Sequence, residues 1–345
     1  MRLRHWLSGL ALFMLMTLVG CKVPYVAPPP PDYYAPVTVP QEAGMKFTRI
    51  TTDEDRVRYP TVSVWSDGLA RFTPRKFFAV SPDGTKMVFM GWKDNKGNLY
   101  IKDLRGGPAL LQRTFRDDIQ DVAFSADGAR LAFGDYRESN WNIYMVGSEE
   151  GAAVRQLTSS TIDERWPVFP PAGSAIYYVQ EEVEAVSGRA TERSSIWSSD
   201  LNTGTVIQYA AGKCPSFTPD GKKAAVTRRN PETRLDEVWL IDFEKGQEVL
   251  VLSAKGRTYY YPTISPEGSR IAFATVSPGS ASTPANLDIY TVMMDGTQQT
   301  QLTFHLGHDI CPQWSPDGKS IYVLSQRGNV AGNWNVWRMD LKAGN

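Results

Sequence analysis

The sequence predicts an all-β chain folded as a six-bladed β-propeller, closed by an N-terminal strand that completes the last blade. Three observations predict it. A four-residue turn recurs six times, at Ser81-Pro82-Asp83-Gly84, Ser125-Ala126-Asp127-Gly128, Pro170-Pro171-Ala172-Gly173, Thr218-Pro219-Asp220-Gly221, Ser265-Pro266-Glu267-Gly268 and Ser315-Pro316-Asp317-Gly318. An aromatic side chain recurs in phase after each turn: Tyr100, Tyr144, Trp197, Trp239, Tyr290 and Trp337. The sixth unit runs out one strand short, and a matching strand, Lys46-Phe47-Thr48-Arg49-Ile50-Thr51, stands ahead of the first.

Each element follows from local chemistry. The turns are 44, 45, 48, 47 and 50 residues apart, and four strands in a period of about 45 residues is the signature of a propeller blade. Pro in the second position presets φ, and Gly in the fourth supplies a permissive exit. The first strand ends on an apolar residue: Val80, Phe124, Phe169, Phe217, Ile264 or Trp314. The second begins with runs such as Met87-Val88-Phe89, Leu131-Ala132-Phe133 and Ile271-Ala272-Phe273. The third carries the phased aromatic, read as inter-blade core. The fourth is short, as in Val154 to Thr158 and Gln299 to Thr303. Lys46 to Thr51 resembles these, and pairing it with the last blade removes two exposed sheet edges.

Ahead of the propeller the sequence changes character. Arg2, Arg4 and His5 precede an apolar run, Trp6 to Val19, which suits a secretory leader and is short for a membrane span. Its end, Leu18-Val19-Gly20-Cys21, resembles the bacterial lipobox, which implies cleavage before Cys21 and attachment of acyl chains such as palmitate to it. Residues 1–20 are thus read as a lipoprotein signal peptide. Residues 21–45 are read as the lipidated Cys and a Pro-rich spacer, with Pro28 to Pro31 as its stiffest part. Residues 46–345 are read as the propeller. Lys22 after Cys21 fits sorting to the outer membrane, with the body facing the periplasm.

Composition excludes several functions. With 37 basic and 37 acidic side chains, there is no charge excess to attract nucleic acid. Three Cys and three His leave little for a disulfide scaffold or a metal array. No G-x-S-x-G, H-E-x-x-H, C-x-x-C or phosphate-binding Gly loop occurs. The chain is therefore read as no enzyme, with no cofactor. His305 and His308 beside Asp309 are the candidate metal ligands, one loop cluster without a second, and are not read as a metal site.

Strand order separates two faces. The turns between first and second strands share one face with the turns between third and fourth, and both sets are short. The opposite face carries the insertions Thr52 to Lys76, Glu181 to Ser195 and Ser277 to Asn286. Long loops on a rigid scaffold are usual binding elements. Four residues before each turn, Phe77, Asp121, Trp166, Cys214, Tyr261 and Cys311 are expected to ring the channel mouth. The loops just ahead carry Asp117, Asp118, Asp163, Glu164, Arg165, Arg257, Tyr259, Tyr260, His308 and Asp309. Mixed charge with Tyr and Trp points to a protein-binding rim, with Asp121, Asp163, Glu164, Arg165, Trp166, Tyr259, Tyr260, Tyr261, His308 and Asp309 as its candidates. Cys214 and Cys311 lie two blades apart, beyond the roughly 7 Å Cα limit of a disulfide, and are expected to be unbridged.

Trp314-Ser315-Pro316-Asp317-Gly318-Lys319 and Arg155-Gln156-Leu157-Thr158 are close to the repeat wording of TolB-type propellers, and the resemblance covers about residues 46–342. It implies an envelope protein or lipoprotein as partner, a peptidoglycan-associated lipoprotein among them. TolB itself carries an α/β domain ahead of its propeller and is not lipidated. Here the lipobox and spacer stand in that place, so that domain's contacts are not implied. The functional reading is a lipid-anchored scaffold or adaptor, with a glycan-binding protein or polysaccharide lyase using the channel mouth as the alternative.

Overall fold

Six four-stranded antiparallel sheets follow one another along the chain, one per predicted turn. The structure is a computed structural model. It describes Glu42 and residues 44–342, apart from 56, 58–61, 65–69, 73–74, 94–95, 108, 115–117, 138, 187–188, 278–285 and 329–333. The leader, Cys21 and the spacer up to residue 41 lie outside the described residues, as does Asp117. Among the described residues no helix is long and apolar enough to cross a membrane.

The blades are built from Phe78–Val80, Lys86–Lys93, Lys96–Asp103 and Leu110–Thr114; Ile119–Phe124, Arg130–Arg137, Asn140–Gly147 and Arg155–Gln156; Asp163–Val168, Ala175–Val186, Arg189–Asp200 and Val206–Ala211; Lys213–Phe217, Lys223–Arg229, Asp236–Asp242 and Gln247–Leu252; Tyr259–Ile264, Arg270–Ser277, Asn286–Met293 and Thr300–Gln301; and Asp309–Trp314, Ser320–Ser325 and Asn335–Asp340. The sixth takes Lys46–Arg49 as its fourth strand, with Lys46 opposite Asp340 and Arg49 opposite Trp337. The closure is chemically faithful to the other blades. Thr158 and Thr303 each accept the N–H of a third-strand residue, Ile143 and Ile289, on Oγ1 at 2.9 Å. Thr51 does the same for Val336 at 2.8 Å.

The phased aromatics lie where expected. Phe89 pairs with Tyr100, Phe133 with Tyr144 and Phe273 with Tyr290 across adjacent strands, and each pair stacks with centroids 5.3, 6.2 and 5.9 Å apart. Such pairs stabilise a sheet beyond the area they bury.

The recurrent turns also join blade to blade. In each regular turn the Gly N–H donates to the first residue's carbonyl, as from Gly84 to Ser81 at 2.9 Å. A Cβ built on Gly84, Gly128, Gly221 or Gly268 would lie 3.6, 3.7, 3.8 or 3.2 Å from the Pro of the preceding turn, namely Pro316, Pro82, Pro171 or Pro219. Gly173 meets nothing within 4 Å, because the preceding turn carries Ala126 in place of Pro.

Two insertions differ from the loops expected. Glu181 to Ser195 is not a loop: it is the outer half of a hairpin of two twelve-residue strands, paired in register out to Val186 opposite Arg189. Thr52 to Lys76 contains a short ribbon, Val62–Val64 with Ala70–Phe72. It ends in Arg75 and Lys76, which cross the propeller axis.

Candidate functional site

The channel is shaped by a backbone irregularity repeated in five blades. Asp121, Trp166, Cys214, Tyr261 and Cys311 have φ of 60°, 55°, 54°, 55° and 52°. Each sits in a register shift between first and second strands. A bulge leaves an extra residue unpaired and re-aims its side chain. The residue that follows is Pro at 167, 215, 262 and 312, which has no N–H to leave unsatisfied. In blade 2 it is Val122, whose N–H donates to the Lys76 carbonyl at 3.2 Å. Phe77, the sixth member of the ring, is not among the positive-φ residues.

These six side chains are buried, so they form a throat rather than the exposed mouth expected. Arg75 and Lys76 close it from the long-loop side. The Arg75 N–H donates to the Tyr261 hydroxyl at 3.3 Å, and the Arg75 carbonyl accepts from Cys311 Sγ at 3.1 Å. The Lys76 N–H donates to Asp121 Oδ1 at 2.8 Å. Glu181, from the base of the long hairpin, lies 3.7 Å from the Arg75 guanidinium and 3.3 Å from Arg165 Nε. Burial raises the Asp121 carboxyl above its ordinary range, with Arg75 as the largest opposing influence.

Beyond the throat, toward the short-turn face, the channel widens into a cavity of about 240 Å³ lined by Lys76, Phe78, Trp166, Phe169, Phe217 and Tyr261, with the thiols and following prolines of blades 4 and 6. Its ring is buried, whereas Phe169, Phe217, Thr263 and Gln313 are half-buried, so the cup opens among the turns. Cys214 and Cys311 are unbridged, as expected, and buried. Burial pushes the Cys214 thiol up to about 12 and the Cys311 thiol up as well, which makes both poor nucleophiles.

The remaining predicted rim residues are buried or half-buried, with partners in their own blade or the next. Arg165 lies 4.1 Å over the Trp141 ring and donates to Gln120 Oε1 at 3.3 Å and Asp163 Oδ2 at 3.1 Å. Asp163 is half-buried and also accepts the Trp141 N–H. Glu164 is buried and accepts from Gln180 Nε2 at 3.1 Å; burial raises its carboxyl. Tyr259 and Tyr260 are buried, Tyr259 edge-on to Phe273 and Tyr260 beside Tyr261. Tyr261 packs against Trp166 with centroids 6.1 Å apart. His308 stacks on Trp334 and accepts the Leu287 N–H on Nδ1 at 3.0 Å. His305 accepts the Gly307 N–H on Nδ1 at 2.9 Å. Asp309 is fully buried and lies 3.4 Å from Arg327. Among the described residues no group of three or more His, Cys, Asp or Glu is placed to hold a metal ion.

Residue-by-residue reading missed Arg75, Lys76, Arg327 and Glu42. Glu42 was assigned to the spacer, yet its carboxylate is buried. It takes Arg327 through two bonds of 2.7 and 2.8 Å and the Phe304 N–H at 2.8 Å. The one sequence signal for Lys76 was its place just before the ring residue Phe77, the place Arg165 and Lys213 hold in blades 3 and 4.

Fold and repeat wording together define a six-bladed propeller similar to those of the TolB type. Residues 202–345 match the model of the TolB beta propeller domain. Among solved structures, a putative TolB from Agrobacterium tumefaciens superposes with a TM-score of 0.55 at 19% identity, covering 86% of this chain and 98% of that one. An oligogalacturonate lyase from Vibrio parahaemolyticus superposes at 0.57 and 14% identity, covering 87% and 95%. In sequence, the chain is 25% identical over 172 residues to the uncharacterized protein Atu1656 of Agrobacterium fabrum, covering 47% of this chain and 55% of that protein. It is 28% identical over 119 residues to the uncharacterized peptidase YuxL of Bacillus subtilis, covering 33% of this chain and 17% of the relative. The chain thus spans about half of one of these relatives and under a fifth of the other. These likenesses correct the reading of the chain as no enzyme: the same propeller serves a lyase, and a sequence relative is named a peptidase, so missing motifs do not exclude catalysis.

Proposed function

We propose that this chain is a lipid-anchored envelope protein whose propeller captures a protein partner on its long-loop face. In this reading Cys21 carries the anchor, the outer membrane holds it, and the body faces the periplasm. The observation that carries the reading is the hairpin of blade 3, whose paired strands run to Val186 and Arg189, well past the neighbouring blades' hairpins. A rigid arm on a rigid scaffold is a binding element ordered before contact, so little entropy is lost on docking. The arm is braced at its base, where Glu181 meets Arg75 and Arg165. The likeness to TolB-type propellers supports an envelope protein as partner, with a peptidoglycan-associated lipoprotein in that class.

The test is cross-linking and pull-down from native membranes. One arm uses the intact chain, one lacks residues 183–191, and one carries Cys21→Ala without the leader. A single stoichiometric envelope protein captured by the intact chain and lost with the hairpin is the expected result. Equal capture without the hairpin, or no captured protein, overturns the reading.

A further inference from the structure

We propose that the axial cavity on the short-turn face is a binding site for a small carboxylate with an apolar body. It lies on the other side of the throat from the docking face, so neither proposal depends on the other.

Two hydrogen-bond donors meet at this cavity with no described group to receive them. Lys76 lines it, and its ammonium has no carboxylate among the described residues within ion-pair reach. Of the nearby carboxylates, Glu181 lies against Arg75 and Arg165, and Asp121 spends Oδ1 on the backbone N–H of Lys76 while its Oδ2 takes no hydrogen bond among the described residues. Trp166 is only 5% exposed, lines the same cavity, and its Nε1–H has no acceptor among the described residues. A buried donor without a partner is costly, and Lys76 is itself half-buried at the cavity wall. Burial accordingly lowers the proton affinity of Lys76, with Cys311 and Asp121 opposing.

The walls fix the rest of the ligand. Phe78, Phe169, Phe217 and Tyr261, with Pro215, Pro262 and Pro312, offer flat apolar surface beside the polar side chains of Ser216, Thr263 and Gln313. A carboxylate would take the Lys76 ammonium and the Trp166 N–H together, leaving its apolar body against the aromatic and proline faces. At about 240 Å³ the cavity is below the roughly 300–1,000 Å³ of drug-sized sites, so it suits a small acid and not a polymer.

The experiment titrates the full-length protein with phenylacetate, following tryptophan fluorescence and melting temperature, with 2-phenylethanol as the uncharged control. Saturable binding of phenylacetate, at least about tenfold tighter than the alcohol, is expected. Lys76→Met should abolish that preference and, without ligand, raise the melting temperature. Lys76→Arg should keep it, and Trp166→Phe should weaken it severalfold. No saturable binding, equal binding of the alcohol, or undiminished preference in Lys76→Met overturns the site. So does a lowered melting temperature of Lys76→Met, because the ammonium would then have an internal partner.

Discussion

Single residues decide how well the repeats fit. The second turn carries Ala126 where its counterparts carry Pro, and Gly173 in the next turn meets nothing as a result. Among the described residues the Ala126 N–H has no backbone acceptor, and Gly128 shares the φ of +69° found at Gly84. Pro is compatible with this geometry and restricts the unfolded chain. Ala126→Pro should stabilise the protein by about 0.5–1 kcal/mol, measured by denaturant unfolding. The two loop histidines set a pH limit. Burial lowers both, with Asp309 opposing for each; Arg327 also lowers His305, whereas Glu42 raises it. The unfolded chain takes up protons below about pH 6.5, while folded His305 and His308 stay neutral. Their contribution is therefore complete above that pH and is lost as the pH falls through it toward the lower folded values. The NMR titration of His308 should have its midpoint below about 6.5, and His308→Asn should flatten the decline in melting temperature between neutral and mildly acidic pH.

At the scale of elements, the strongest single tie is the one that seats the closing strand. Glu42 and Arg327 are both 5% exposed and meet through two bonds, and the guanidinium lies 4.0 Å over the Phe47 ring. Removing one partner leaves the other charge buried. Arg327→Met should cost about 3–5 kcal/mol, seen as a lower denaturation midpoint. Faster hydrogen exchange at Phe47, Thr48 and Arg49 than elsewhere would place the loss in the closing strand. The hairpin of blade 3 shows why sequence reading mistook an element for a loop. Glu181 to Ser195 is rich in Glu and Arg, without the apolar alternation of a half-buried strand. Its outer strands pair only with each other, beyond the strands that flank them in the sheet.

For the whole molecule, what was legible follows the repeat, and what was not breaks it. Turns, phased aromatics and the displaced strand recur, so comparison within one chain reveals them. The ring from Phe77 to Cys311 was legible as a phase, but not its burial. That depends on the left-handed backbone at five bulges and on a plug from an unrepeated insertion. The burial of the rim charge Arg165 was not legible because its partner is distant in sequence: it meets Gln120 of the preceding blade. Closure is the most non-local pairing of all, joining Lys46 to Asp340, and such contacts form only after a large loop has closed. Deleting residues 42–51 should expose the edge of Asn335–Asp340. Light scattering should then show aggregation, and calorimetry a broadened transition in place of a single cooperative one.

The buried clamp ahead of the closing strand has a mechanical consequence. A pull on the polypeptide before Glu42 reaches Arg327 and the Phe304 amide before it reaches the Lys46–Asp340 ladder. The clamp acts as a strain relief, like the knot that keeps a cable from being drawn out of its socket. Force applied to the chain ahead of Glu42 is stopped at one buried ion pair, and the ring behind it stays shut.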